Sequence, residues 1–496
     1  MIEEQLPVLL VVIPMLAAPL CVLLHNRRLV YALTLAVCWT CFGISLCLLN
    51  SVLGPETGKI HYDLGGWAPP YGIEYVVDYL SAFVMMFVSG FGAIAITFAP
   101  RSLNLEIPKS KHYLFHATYL LCLTGLLGIC ITGDLFNVFV FLEISSLSTY
   151  ALISLGRSRR APLAAFHYLI MGSIGATFIL IGIGLLYQMT GTLNMADIAQ
   201  RVDTVSGPRT VLVAFAFMTI GLCIKMAVFP LHTWLPNAYT HAPSVVTVFI
   251  AATATKVSVY ALIRLIYQIY SPKFAFEAMP MGEAIIALSL VGIFVASIAA
   301  IFQDDIKRLL AYSSVAQIGY MLLGIGMGTE DGLAAGIVHM FNHALIKGGL
   351  FMVVACFVLR LGSTKLEDLR GAGRTMPWTS LAWVLGGLGL IGVPVTCGFI
   401  SKWMLLNAAI DSSHWLMAVL MLLSSLLALV YVWKVVETLY FSETVSKKAE
   451  AASEAPLSML IPTYVVIAAT VIFGVWTEYS ASLAQLAAMT LTGGGQ

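Results

Sequence analysis

The sequence predicts an all-α polytopic membrane protein of about 14 transmembrane helices, and three observations carry that prediction. Of the 496 residues 59% are hydrophobic and 10% charged. Soluble chains are about 25% charged, so this one cannot cover a water-facing surface of its size. Fourteen runs are long and apolar enough to cross a hydrocarbon core, which takes about 20 residues of helix. The runs are apolar throughout, whereas a membrane barrel shows alternating segments of about ten residues.

In chain order the runs span 6–24, 29–49, 80–98, 113–132, 135–155, 163–189, 211–229, 245–267, 284–302, 309–327, 332–359, 381–407, 415–438 and 457–476. Met1-Ile2-Glu3-Glu4 is acidic where a secretory signal is basic, and no small-residue cleavage site follows, so the first run is expected to stay as a helix. The segments 50–79, rich in Gly and Pro, and 190–210 are the only long loops, and no low-complexity linker divides the chain. Residues 1–496 therefore read as one integral domain. If the N-terminus is outside, the cytoplasmic loops hold 16 basic residues: Arg27, Arg28, Arg101, Lys109, Lys111, Arg157, Arg159, Arg160, Lys307, Arg308, Arg360, Lys365, Arg370, Arg374, Lys447 and Lys448. The opposite loops hold 4, Lys59, Arg201, Arg209 and Lys273. This asymmetry predicts both termini outside, and the membrane is expected to be a prokaryotic plasma or inner membrane.

Several motifs are decoys. The net charge of +1 offers no nucleic-acid or acidic partner. Cys38-Trp-Thr-Cys41 lies inside an apolar helix without thioredoxin-like strands, and the nine cysteines read as small packing residues. Gly387-x-Gly389-x-x-Gly392 has dinucleotide spacing but sits in a membrane span, where glycines let helices approach closely. His339-x-x-x-His343 lacks the Glu of a zinc protease. No catalytic residue, metal site or cofactor is expected.

The remaining six of the 26 basic residues fall in or near spans: Lys225, Lys256, Arg264, Lys347, Lys402 and Lys434. Arg264 and Lys434 are close enough to helix ends to snorkel. The other four are mid-span, where a Lys costs at least about 2.5–3.5 kcal/mol and marks a pathway, relay or partner. Glu143 is the one mid-depth acid and needs a cation; Lys225 lies at comparable depth. Burial disfavours the charged form of both side chains while proximity favours it, so separating the pair would release a proton from the Lys to the next site. His339, His343 and Lys347 recur every four residues and stack along one helix face as a candidate proton path. Pro230 and Pro394 fall in Gly-containing spans that also carry Lys225 and Lys402. Pro removes a backbone hydrogen bond, and broken membrane helices are tolerated where they are packed in protein or line a wet cavity. Paired breaks are the mark of an inverted-repeat transporter, so helices 4–8 (about 113–267) and 9–13 (about 284–438) are expected to be two inverted five-helix repeats with helices 7 and 12 broken.

Asp305-Ile-Lys-Arg-Leu-Leu-Ala-Tyr-Ser-Ser-Val-Ala-Gln-Ile-Gly-Tyr320, His232-Thr-Trp-Leu-Pro-Asn-Ala-Tyr-Thr-His-Ala-Pro243, Thr255-Lys256-Val257 and His339-x-x-x-His343-x-x-x-Lys347 resemble the antiporter-like subunits shared by Mrp-type cation/proton antiporters, respiratory complex I and membrane-bound hydrogenases. The resemblance covers roughly residues 60–440. It implies that Glu143 and Lys225 are the paired residues of helices 5 and 7, that Lys256, His343 and Lys347 form a central hydrophilic axis, and that Lys402 exchanges protons with one side. Fourteen helices without a lateral extension, and Lys402 in Cys397-Gly-Phe-Ile-Ser-Lys402, look most like the D-type component of an Mrp antiporter, with the N-type component of complex I close behind. Asn237 stands where many complex I relatives have Asp. The resemblance implies a proton-conducting subunit of a multisubunit Na⁺/H⁺ antiporter, with sister subunits, protons, Na⁺ and the lipid bilayer as partners; the alternative is a membrane-arm proton-pumping subunit of complex I or of a hydrogenase.

Overall fold

The computed structural model describes residues 3–54, 58–202, 204–205 and 209–493. The first two residues of the acidic N-terminal stretch, and parts of the two long loops, lie outside the described residues. The membrane helices are α1 (Leu6–Leu24), α2 (Arg27–Leu53), α3 (Tyr79–Glu106), α4 (His112–Ile131), α5 (Leu135–Ser154) and α6 (Ala161–Thr190). Then come α7a (Arg209–Met226) and α7b (Trp234–His241), and α8a (Ser244–Ala252) and α8b (Ala254–Ile263), which continues as a π-helical turn, Arg264–Ile269. The second half holds α9 (Met281–Ile301), α10 (Ile306–Gly326), α11 (Glu330–Leu361), α12a (Pro377–Ile391), α12b (Cys397–Asp411), α13 (Trp415–Val436), α14 (Leu457–Val475) and α15 (Glu478–Thr492).

Thirteen of these segments are long and apolar enough to cross a membrane among the described residues. The fourteenth span is α12, whose two halves of 15 residues each fall short separately. Charge-poor sequence thus gives helices because every backbone polar group in lipid must bond within its own segment. The layers follow from the side chains. In α8 and α10, 94% of the most apolar stretch is buried, against 39% in α1, α6, α9, α13 and α14. The outer helices turn Leu16, Leu23, Phe166, Leu416 and Leu426 outward, which suits a lipid-facing perimeter. The inner ones keep their polar residues away from it.

Three features depart from the sequence reading. The 50–79 loop contains an antiparallel hairpin, β1 (Lys59–Asp63) and β2 (Glu74–Asp78), with Lys59 opposite Asp78. It closes over the ends of α4 and α5 through Gly133 N–H to Glu74 O at 2.9 Å, and a Cβ at Gly133 would meet Glu74 Cγ at 2.9 Å. A further helix, α15, follows the last expected span; its buried Ala484, Ala487 and Ala488 form a small-residue seam of helical period. The eighth helix is interrupted at Thr253, where no Pro or Gly signals it.

The two expected breaks are present. Residues 227–233, including Pro230, separate α7a from α7b, and Ala227 has φ of 62°. Trp234 Nε1 donates to Ile224 O at 2.9 Å and so caps a carbonyl that the break exposes. Residues 392–396, including Pro394, separate α12a from α12b, and Gly392 holds φ of 90°.

A backbone pattern occurs twice. Asp134 caps α5 by accepting from Asn137 N, while Leu135 N donates to Leu193 O and Met195 N to Gly133 O. Asp305 caps α10 by accepting from Arg308 N, while Ile306 N donates to Thr364 O and Leu366 N to Asp304 O. Each time the start of one helix is bridged to the chain just beyond the next, once on each side of the membrane.

Candidate functional site

Lys225 sits in the last turn of α7a, 3% exposed, and its ammonium faces α5. It donates to Glu143 Oε1 at 3.0 Å and to Ser146 Oγ at 2.8 Å. Glu143 and Ser146 share a face of α5 because they are three residues apart. A buried ammonium is tolerable here because a carboxylate and a hydroxyl both meet it. Glu143 itself keeps 25% side-chain exposure, on the face of α5 that also shows Phe136 and Leu147.

A small cavity adjoins Lys225, lined by Ser145, Ser146, Thr149, Tyr168, Ala254 and Ser258 among others, with room of about 20 Å³ for the centre of a water molecule. That volume and those hydroxyls suffice for about one water. Ala254 and Ser258 flank Lys256 on α8b, so the cavity bridges the α5/α7a pair to the next lysine.

Lys256 is fully buried, and its ammonium donates to Ala251 O. The interruption at Thr253 turns this carbonyl toward the side chain, because a continuous helix would bond it within its own ladder. Lys256 lies within electrostatic reach of His343 and Lys347. Lys347, also 0% exposed, donates to Leu310 O at 2.8 Å and to Ser313 Oγ. Neither lysine has a carboxylate partner among the described residues.

Along α11 the rings of His343 and His339 are stacked, 6.3 Å apart and within 6° of parallel. His339 Nδ1 lies 2.9 Å from Ser401 Oγ of α12b. Both ring nitrogens of His343, Nε2 of His339, Nε2 of Gln317 and Oγ1 of Thr255 are buried without a protein partner. Buried polar groups are almost always satisfied, so this concentration of donors and acceptors marks a stretch suited to ordered water.

The line ends at Lys402 on α12b. Its ammonium donates to Ile391 O at 2.8 Å and Leu390 O at 3.3 Å, the free carbonyls of α12a, and to Ser425 Oγ at 3.3 Å. These carbonyls are the negative end of a half-helix, which favours a cation. Tyr320 of α10 lays its ring 5.0 Å below the ammonium and also stands 5.5 Å from His339. Gly392 leaves space for this crossing, since a Cβ there would come within 3.0 Å of Lys402 Cδ.

The structure therefore brings Glu143 to Lys225, and Lys256, Lys347, His343 and His339 into one buried row that reaches the half-buried Lys402, with Pro230 and Pro394 in the breaks. The sequence reading missed Ser146, Ser313, Ser401, Ser425 and Tyr320. Only Ser146 carried a signal, its spacing from Glu143.

Two assignments are corrected. Arg264 does not snorkel: it is 7% exposed and grips Asp78, with Nη1 to Oδ2 at 2.6 Å and Nη2 to Oδ1 at 2.5 Å. Asp78 lies at the hairpin end, far away in sequence, and only the fold reveals the pair. Burial pushes this carboxyl up, but the charge and hydrogen bonds of Arg264, with those of Ser81, outweigh that and hold it below the usual carboxylate range. Lys307 is not a solvated loop cation either, being 4% exposed and donating to Ala242 O at 3.0 Å. Lys434 does reach the helix end as expected, donating to Ile301 O, Gln303 O and Asp304 Oδ1 at 2.9–3.1 Å.

Comparison with known proteins adds three kinds of finding. Residues 132–428 match the family model described as NADH:quinone oxidoreductase/Mrp antiporter, transmembrane. The N component of NADH-quinone oxidoreductase from Desulforudis audaxviator is 40% identical over 491 residues, 96% of each chain. The D component of the Na⁺/H⁺ antiporter from Alkalihalophilus pseudofirmus is 29% identical over 423 residues, 85% of this chain and 84% of its own length. Among solved structures, a chain of the Mrp complex from Dietzia sp. superposes with a TM-score of 0.90 at 25% identity, covering 100% of this chain and 98% of that one.

Proposed function

The chain belongs to the NADH:quinone oxidoreductase/Mrp antiporter transmembrane family, and from that premise we propose that it is the proton-conducting subunit of a multisubunit Na⁺/H⁺ antiporter, a transporter subunit rather than an enzyme. One observation carries the reading: the Glu143–Lys225 pair at the end of a broken half-helix adjoins a row of Lys and His that, among the described residues, have no carboxylate partner. Protons enter at Glu143 and Lys225, pass Lys256, Lys347, His343 and His339, and reach Lys402. Charging one lysine in this row disfavours charge on the next, so a proton arriving at one end promotes release at the other. Breaking the Glu143–Lys225 contact starts the stroke, because Lys225 then loses the charge that stabilises its ammonium.

The repeated bridges at Asp134 and Asp305 support two inverted repeats, α4–α8 and α9–α13. The Lys/Arg excess on the face bearing the starts of α6 and α10 supports placing that face in the cytoplasm and both termini outside. Sister subunits of the same complex are the expected partners.

Inverted membrane vesicles test this. With Lys225→Ala, Na⁺-dependent dissipation of a pH gradient should disappear while the protein still assembles; full activity in that variant sinks the assignment. The second reading, a membrane-arm component of a quinone-reducing respiratory complex, is favoured by the 40% identity to the N component of an NADH-quinone oxidoreductase. Co-purified subunits with iron–sulfur or flavin absorbance would select it. Their absence, together with Na⁺-driven exchange without a redox substrate, selects the antiporter.

A further inference from the structure

On the Lys/Arg-rich face an open cavity of about 670 Å³ lies between the α5–α6, α9–α10 and α11–α12 connections and the end of α13. Its lining is polar, and three guanidiniums come to it, Arg160 from the α5–α6 connection, Arg308 from the first turn of α10 and Arg370 from the α11–α12 connection. The acids of the cavity are already engaged. Asp304 holds Lys434 at 3.1 Å, Glu367 holds Lys365 at 3.4 Å, and Asp305 accepts from Arg308 N at 3.0 Å and from Thr364 Oγ1. Among the described residues, none of the three guanidiniums pairs with a carboxylate. Nε of Arg308 is moreover buried without a hydrogen-bond partner. Guanidinium N–H groups are rigid forked donors whose geometry matches the oxygens of a phosphate, and three on one concavity make a surplus of positive charge that an anion would offset.

We propose that this cavity binds a phosphate group, supplied by the headgroup of an anionic phospholipid or by a free phosphate anion. Basic pockets between membrane helices on the cytoplasmic side suit such headgroups, and the volume fits one. The bound group ties the α5–α6 connection to those after α9 and α11, and so links the two five-helix units at one surface.

The test uses the purified full-length chain in detergent, with thermal unfolding and native mass spectrometry as readouts. Three additions are compared: phosphatidylglycerol, phosphatidylcholine and inorganic pyrophosphate. Stabilisation and mass adducts with phosphatidylglycerol but not phosphatidylcholine assign the lipid source; the same response to pyrophosphate alone assigns the soluble anion. In Arg160→Gln/Arg308→Gln/Arg370→Gln the apparent affinity should fall by about tenfold for each guanidinium removed, the scale of a charge-assisted hydrogen bond. Arg374→Gln, an exposed basic residue on the same face outside the cavity, should change nothing. If the triple variant does not fold, exposed Arg160→Gln alone carries the comparison. No response to either anion, or a response undiminished in the variants, overturns the proposal.

Discussion

The two broken helices hold their lysines in opposite ways. At α7 the Lys225 ammonium meets a carboxylate, Glu143, 3.0 Å away. At α12 the Lys402 ammonium meets two helix-end carbonyls, a serine and the face of Tyr320. The repeated bridges make the contrast sharper. Nine residues beyond the capping Asp134 stands Glu143, whereas nine residues beyond the capping Asp305 stands Ser314. The division belongs to the two breaks and not to whole halves, since Lys256 in the first half also meets only a carbonyl and Lys434 in the second half meets Asp304. The α7 break thus stores a cation against an anion that can be pulled away, and the α12 break holds its cation with dipoles and an aromatic face. A charge pair can act as a latch, while dipoles only set how readily a proton is held.

This contrast can be broken most directly at Glu143. Glu143→Gln leaves Lys225 without its counter-charge, and losing one partner of a buried pair costs about 3–5 kcal/mol, toward the lower figure here because Glu143 is partly exposed. Denaturation in detergent should show that loss together with abolished transport; unchanged stability would make the pair incidental. At the other end, Lys402→Met removes a cation that leaves no anion behind. Proton transport should fall by about tenfold or more, as for loss of a positioned proton-transfer group, with the melting temperature unchanged or raised. A melting temperature lowered as far as in Glu143→Gln would erase the distinction between the two breaks.

The Asp78–Arg264 pair is expected to act on stability and not on transport, and its contribution depends on pH. The folded carboxyl of Asp78 sits below its unfolded value, so the pair stabilises the protein fully above about pH 4, the ordinary Asp range, and that contribution is lost as pH falls through the folded value. Asp78→Asn should flatten the acid limb of a stability–pH curve; an unaltered limb would show the pair to be uncoupled from folding. The smallest effect is expected from Tyr320→Phe. It keeps the ring under Lys402 and removes the hydroxyl that meets Ser424, costing about 1 kcal/mol. Transport should change by a few-fold at most, whereas Tyr320→Leu, which also removes the ring, should affect Lys402 further.

Much of the candidate site was legible because charge in an apolar span is conspicuous. Glu143, Lys225, Lys256, Lys347 and Lys402 stand out against their neighbours, and the prolines flag both breaks. Partners of ordinary composition were not legible. Serines abound in membrane helices, and apart from the spacing of Ser146 from Glu143 nothing in the sequence separates Ser146, Ser313 and Ser401, which meet the charged line, from the rest. Nor could the sequence show that Arg264 turns inward. A long cation near a helix end reads as snorkelling until an acid from another segment is found beside it, and Asp78 lies 186 residues away. The break at Thr253 was invisible for a related reason: neither Pro nor Gly marks it.

Sequence alone determined that this chain lives in a bilayer, that its spans are helices, and which few side chains cannot be there for solubility. Those properties follow from composition and local spacing, because lipid penalises every exposed backbone group and every unneeded charge along a segment. Beyond the Glu143–Lys225 pair, which depth along the spans already pointed to, which groups face one another was decided by the tertiary structure. Pairing of Arg264 with Asp78 depends on segments distant in sequence, and that of Lys402 with the carbonyls of α12a on a break that frees backbone groups at its depth. Such contacts are set by packing, which no local pattern records.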